Sequence, residues 1–305
     1  MRASYCDAYY VPLPDGHPFP MGKFPALHAL LLNEGLLSPQ DVVAPRQADW
    51  SDLLQVHTAS YLNALAEGTL SRKEERRMGL PWSPRLVHRS RVAVQGTLNA
   101  AYMALEDGVA ANLAGGTHHA MPGHGEGFCV LNDVAVAIQV LRRACWVNRV
   151  CIVDLDVHQG NGNAAFFADT PAVYTFSMHG AKNYPFQKPP SSHDVPLPDG
   201  CSDDAYLDAL TTHLPAVLDI ARPDIVFYLA GIDVLADDRF GRLALTRDGL
   251  HARDRFVLRT LHQQDVPAVL LLSGGYAASP EETADRHAVM HREAAAVYGR
   301  SSAVH

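Results

Sequence analysis

The stretch "RVCIVDLDV", residues 149–157, is apolar at consecutive positions and then places two aspartates at its end. A strand that is apolar without alternation is covered on both faces, as in a parallel sheet held between two layers of helices. Three further runs share this character: "AVYTFSMH" (172–179), "DIVFYLAGID" (224–233) and "PAVLLLSGGY" (267–276). Between and before them lie stripes at helical spacing, with Leu207, Leu210, Leu214, Val217 and Ala221 in one and Val87, Val94, Leu98, Ala101 and Leu105 in another. Strand alternating with helix predicts an α/β fold, a mainly parallel central β-sheet with helices on both faces. No internal repeat or Gly/Ser-rich linker divides the chain, so residues 1–305 are expected to form a single domain. Two proline-rich segments, 183–200 and 11–24, are expected to be long irregular loops that build pocket rims.

Composition narrows the function. Lys and Arg number 25 against 33 Asp and Glu, a net charge of −8, which gives no overall electrostatic basis for binding nucleic acid or an anionic membrane. The beginning "MRASYCDAYY" lacks the apolar core of a signal peptide, and no apolar run approaches the ~20 residues of a membrane span. A cytoplasmic location is expected. Five cysteines without CxxC spacing (Cys6, Cys129, Cys145, Cys151 and Cys201) read as reduced and structural, with Cys129 standing next to a candidate site.

Ligands of an open α/β sheet bind beyond the carboxyl ends of its strands. Here those ends carry Asp154, Asp156 and His158, then Asp233, then Gly274, Gly275 and Tyr276. Carboxylates at the edge of apolar runs are costly to bury unless they are paired or hold a metal. Taken singly, each Asp is better read as a turn cap and His158 as a core histidine. Together, Asp156, His158 and Asp233 make a three-ligand set that leaves a position open, the pattern of catalytic zinc. As strand neighbours, residues 156 and 158 are expected to share a face. The segment "GGTHHA" (115–120) adds adjacent histidines on glycine-rich backbone. On "HH" alone a solvated surface pair would be the better reading, but beside a metal two imidazoles could divide the work of base and charge stabiliser.

With these residues in view, the blocks "GGTHHAMPGHGEGFCVLNDVAVA" (115–137), "VDLDVHQGNG" (153–162), "AGIDVLADD" (230–238) and "LSGGY" (272–276) resemble, in order, the active-site blocks of the zinc-dependent histone deacetylase superfamily. That superfamily also includes acetylpolyamine amidohydrolases and acetoin-utilisation proteins, on an arginase/deacetylase-like fold. "GLPWSPRLVHRSR" (79–91) and "HQGNG" look most similar to class IV deacetylases and their bacterial relatives.

The resemblance implies that Asp156, His158 and Asp233 hold one Zn2+ per chain, with Fe2+ as the alternative. It implies His119 as general base and acid, His118 as its electrostatic support oriented by Asp154, and Tyr276 as donor to the developing oxyanion. Phe128 and Tyr184 would wall a narrow acyl-lysine tunnel, with Gly127 and Gly275 beside them as substrate-binding positions. A structural K+ would lie near Asp154, Asp156, His158, Ser177 and Met178, and a second monovalent cation near Phe167, Thr170 and Val173. Many members carry an acid where this chain has Asn161, next to the base; the class IV pattern carries the amide.

The implied substrate is acylated lysine in proteins or peptides, or alternatively a small acylated amine such as an acetylpolyamine. A polyamine reader should show an acidic gate, for which Asp15, Asp194 and Asp199 are the candidates. An arginase-like dimanganese site is disfavoured because Val234 and Leu235, not a further acid, follow Asp233. No G-x-S-x-G elbow supports a serine hydrolase, and "GHGEG" (123–127) makes a weak phosphate loop. From another class, a non-catalytic acyl-lysine binding module would be expected to lack a ligand, the base or the tyrosine, and none is missing.

Overall fold

In the computed structural model, which describes residues 1–299, eight strands form one all-parallel sheet. Residues 300–305 of the expected domain lie outside the described residues. The strands are β1 (Arg2–Ser4), β2 (Val42–Val43), β3 (Val109–Asn112), β4 (Val150–Asp154), β5 (Val173–Gly180), β6 (His193–Leu197), β7 (Ile225–Leu229) and β8 (Ala268–Leu271). Their spatial order is β2-β1-β3-β8-β7-β4-β5-β6. The four apolar runs read from the sequence are β4, β5, β7 and β8, and their consecutive side chains divide between two cores. Cys151 and Val153 pack on one face of the sheet, Val150 and Ile152 on the other.

The first face is covered by helices Lys23–Asn33, Asp203–Ala221, Arg247–Gln263 and Pro280–Tyr298, the second by Pro84–Asp107, Asp133–Arg143 and Asn161–Phe167. Both predicted helical stripes lie on these helices, with Leu210, Leu214 and Val217 fully buried. Burying one such side chain is worth about 1.5–3 kcal/mol, so a sheet clothed on both faces holds its strand ends in fixed positions. No helix among the described residues is long and apolar enough to cross a membrane.

Two expectations need correction. Segment 183–200 is not wholly irregular, because residues 193–197 form β6, paired in parallel with β5. As the edge strand it tolerates Pro196, whose missing N–H would disrupt a central strand. The short strands β1, β2 and β3 were not predicted, since two to four residues carry too little periodicity to register. Of these β3 matters most. It lies beside β8, and β3, β8, β7 and β4 are consecutive in the sheet. The loops leaving their carboxyl ends carry the four blocks singled out above, and the topology delivers them to one place.

Candidate active site

The histidine pair lies on the loop that leaves β3, and Asp133 holds that loop in shape. Its carboxylate accepts from the backbone N–H of Gly116 (3.0 Å) and of Thr117 (2.7 Å). Asp133 begins the helix Asp133–Arg143, whose N-terminus is capped by Asn132 accepting from Ala135 N at 2.8 Å. The paired imidazoles are thus placed by a rigid helix end. Both are buried, with ring centroids 4.1 Å apart.

Strand β4 ends at Asp154, so Asp156 and His158 lie on the turn beyond it and not on a shared strand face as expected. The turn nonetheless turns both inward. The candidate ligand atoms of Asp156, His158 and Asp233 lie within 4.8 Å of one another, and both carboxylates are fully buried. His158 Nδ1 stands 3.0 Å from Asp156 Oδ1 and 3.2 Å from Asp233 Oδ2. Backbone donors orient the acids, with Gly274 N giving to Asp156 Oδ2 (2.6 Å) and Val157 N to Asp233 Oδ1 (3.0 Å). Asp233 Oδ2, in contrast, is buried with no hydrogen bond of proper geometry.

Burial, followed by repulsion from Asp156, pushes the Asp233 carboxyl up to about 7. Burial also works against the Asp156 charge, yet His118 and His158 hold it well below the usual carboxylate range. A Cβ at Gly274 would sit 2.1 Å from Asp233 Oδ2 and 2.7 Å from Asp156 Oδ2, so glycine keeps this cradle open. Two buried carboxylates, one of them with an oxygen left without a hydrogen bond, and a histidine are a donor set that fits a divalent cation of the zinc type.

The protonation state of His119 can be read from its partners. Asn161 donates through Nδ2 to Glu126 Oε1 (3.0 Å), which leaves its Oδ1 to face His119 Nδ1 at 2.6 Å. An amide oxygen only accepts, so Nδ1 carries the hydrogen and Nε2 keeps its lone pair. Burial, aided by His118 and His158, holds His119 well below the usual histidine range and therefore neutral. His118 is the opposite case. Burial opposes its charge, but Asp154, at 2.8 Å from Nδ1, and Asp156 overcome that and raise it to about 9.

Tyr276 is buried against Phe240, Phe128 and Phe19, with ring centroids 4.8, 5.8 and 6.3 Å away. Its backbone N–H gives to Asp238 Oδ2 at 2.8 Å. Burial, then the nearby Asp233 and Asp156, push its phenol well above the usual range, so it remains a hydrogen-bond donor. Phe128 and Tyr184 both line the pocket, and the Tyr184 ring meets His119 edge-on at 5.1 Å while its hydroxyl donates to Glu126. Gly127, at φ +56°, lies against the His119 ring, where a Cβ would approach within 2.6 Å. Gly275 follows Gly274 in the turn that presents Tyr276.

From His119 and His158 the pocket passes Phe128 and Tyr184 and opens into a mouth, with a volume of about 400 Å³ in all. The proposed acidic gate is not there. Asp194 is held by Gln159 Nε2 and Ser191 N, Asp199 is shared between Lys182 and Arg242, and Asp15 does not line the mouth. Of the monovalent-cation residues, Asp154 stands in register with Ser177 across β4 and β5, next to Met178. Thr170 N gives to Phe167 O (3.0 Å) and Val173 N to Thr170 O (2.9 Å), so the second set is also local.

Several site residues were not found from the sequence. Glu126 completes the His119–Asn161 network, and its only local sign was an acid within a glycine-rich run next to Phe128. The cavity of about 40 Å³ that His119, Asp156, His158 and Tyr276 line is also lined by Lys23 and Arg89. Lys23 is buried, 3.2 Å from Ser273 O and 3.3 Å from His287 Nε2, and burial pulls its amine down to about 8. A single lysine at the start of a helix gives no warning of this.

Residues 17–291 match the histone deacetylase domain model. The chain is 47% identical over 294 residues to an uncharacterized protein of Picosynechococcus, covering 96% of this chain and 98% of that one. It is 33% identical over 269 residues to histone deacetylase 2 of Arabidopsis thaliana, covering 85% of this chain and 70% of the relative. In fold it is similar to the crystal structure of acetylpolyamine aminohydrolase from Burkholderia pseudomallei (TM-score 0.79, 21% identity, 97% of this chain and 99% of the other).

Proposed function

We infer that this chain, which belongs to the histone deacetylase family, is a metal-dependent hydrolase that removes acetyl or other acyl groups from lysine side chains of proteins. One observation carries the reading: His119 and Tyr276 face the same pocket floor as Asp156 and His158, with Asp233 completing the ligand set.

The ion we assign to Asp156, His158 and Asp233 is Zn2+, one per chain, with Fe2+ as the alternative. Such an ion supplies Lewis-acid chemistry, polarising the acyl carbonyl and acidifying water. The remaining work falls to the side chains. His119 Nε2, free and unprotonated, takes the proton of the attacking water and later returns one to the leaving amine. Asn161 fixes the tautomer that makes this possible. His118, charged beside Asp154, sets the local field in which that proton moves. Tyr276, kept protonated, donates to the oxygen on which negative charge develops. Phe128 and Tyr184, which line the pocket, would flank the alkyl chain of the acylated lysine. A K+ near the 154–158 turn belongs to the same proposal.

Asn161 within "HQGNG" supports a class IV-like assignment. A small acylated amine is the second substrate class, and no carboxylate in the mouth favours it. A non-catalytic acyl-lysine module would be expected to lack one of Asp156, His158, Asp233, His119 or Tyr276, and the chain keeps all five.

The test is a panel of acyl-lysine peptides of graded acyl length, with acetylated polyamines alongside, given to the zinc-loaded protein. Lysine deacylation that disappears in His119→Ala is expected. Hydrolysis of the polyamines alone would replace the substrate class, and peptide binding without turnover would favour the binding module.

A further inference from the structure

We propose that the mouth of the pocket selects acyl-lysine set among acidic residues, through a cationic collar formed by Arg76, Arg77, Lys182 and Arg242. This rests on the deacylase reading above and names the context in which that substrate is presented.

All four cations line the mouth, and no carboxylate does. Arg76 and Arg77 come from the helix Arg72–Met78, "RKEERRM". At 100° per residue, positions 72, 76, 73 and 77 fall within an arc of about 140° of that helix, and of its two glutamates Glu75 borders Arg72 and Arg76 on a neighbouring groove and not in the mouth. Glu74 is occupied in capping, accepting from Ser71 N at 2.7 Å. Among the described residues neither Arg76 nor Arg77 has a carboxylate within ion-pair distance, while Lys182 and Arg242 share the single acid Asp199 at 3.5 and 3.3 Å. The collar therefore keeps a clear positive excess.

Its position is fixed relative to the tunnel. Gly127 N gives to Arg77 O (3.2 Å) and Phe128 N to Met78 O (2.8 Å), so the end of the arginine helix is bound to the tunnel wall. Across the mouth, Phe186 is 90% exposed, an aromatic surface for the flanking residues of a peptide.

An acylated lysine has lost its own charge, so the collar can read only what flanks it. The net charge of −8 would repel an acidic partner at long range. At physiological salt that repulsion is screened within about 8 Å, whereas a docked peptide lies inside this distance of the collar, so the local attraction decides. The same cations disfavour acetylated polyamines, whose remaining amines are positive.

The experiment compares three acetyl-lysine peptides of equal length with acidic, neutral and basic flanks, at low and high salt. Readouts are kcat/KM on the zinc-loaded wild type and fluorescence anisotropy on zinc-loaded Tyr276→Phe. Exposed ion pairs are individually weak, so two or three together should favour the acidic over the basic peptide by about tenfold at low salt. That ratio should shrink with salt and reverse in Arg76→Glu/Arg77→Glu. Arg76→Gln/Arg77→Gln, the milder pair, should reduce the ratio if the charge reversal disturbs folding. Equal rates on all three peptides, a preference for basic flanks, or a ratio unmoved by either double variant would overturn the proposal. So would single-stranded oligonucleotide competing in anisotropy as well as the acidic peptide, which would make the collar a nucleic-acid surface. If no peptide is hydrolysed yet anisotropy still ranks the acidic one first, the deacylase reading fails while the charge selection stands.

Discussion

Asn161 stands between an imidazole and a carboxylate: its Oδ1 accepts from His119 Nδ1 at 2.6 Å, and its Nδ2 donates to Glu126 Oε1 at 3.0 Å. The amide thus relays the orienting effect of a carboxylate without placing negative charge on the imidazole. Asn161→Asp should change this. A carboxylate against Nδ1 favours the imidazolium and raises the pKa of His119, and because the base works only when neutral, the acidic limb of the kcat/KM profile should move to higher pH. The metal should remain. An unchanged profile would show that the 161 side chain does not govern the base.

Asp156→Ala and Asp233→Ala are each expected to lose both metal and activity, because each removes one of the three proposed ligands. His119→Ala should keep the metal and lose turnover, since His119 is outside that set and its Nδ1 is committed to Asn161. Elemental analysis of the wild type should find about one divalent ion per chain, as a single three-ligand set implies. A requirement for two manganese ions would return the arginase-like alternative.

What could be read in advance follows from where the chemistry is written. Asp154, Asp156 and Asp233 stood out because acids at the ends of apolar strands need a reason, and the structure brings Asp156 and Asp233 together with His158. Glu126, Asp133 and Asp238 did not stand out, since an acid in a loop or a first helical turn is ordinary. Their roles depend on partners far along the chain, such as Asn161, Thr117 and Tyr276. The basic mouth was hidden for a related reason. Total charge is a sum, and the −8 of the whole chain conceals a local excess assembled from residues 76, 77, 182 and 242. Strand β3, only four residues long, has too few positions to reveal its place beside β8.

Stability near the metal turns should depend on Arg253. It is fully buried, pairs with Asp254 at 2.8 Å, and donates to the carbonyls of Gly231 (2.6 Å) and Leu155 (3.3 Å), one on the loop of Asp233 and one on that of Asp156 and His158. Arg253→Met would leave the Asp254 carboxylate without its main counter-charge and both carbonyls without a donor. Breaking one side of a buried pair costs about 3–5 kcal/mol. Denaturant unfolding should register a loss of that size, with a lower metal affinity in the folded fraction. A change below about 1 kcal/mol, the size of an exposed pair, would mean that the pair is neither dry nor coupled to the loops.

Tyr276 offers the sharpest separation of binding from chemistry. Its backbone is anchored by Asp238 and its ring by Phe128 and Phe240, so Tyr276→Phe removes one oxygen and leaves the packing in place. The phenol is held protonated, and a donor that engages charge only as it develops stabilises the transition state more than the bound substrate. Loss of such a donor typically lowers kcat by about 10²- to 10³-fold, with a much smaller effect on KM. Thermal unfolding of the variant should match wild type, and a zinc-chelating hydroxamate should still bind, though more weakly. Near wild-type turnover in Tyr276→Phe would refute the oxyanion role. A large rise in KM at unchanged kcat would instead make Tyr276 part of the tunnel wall, binding substrate and transition state equally.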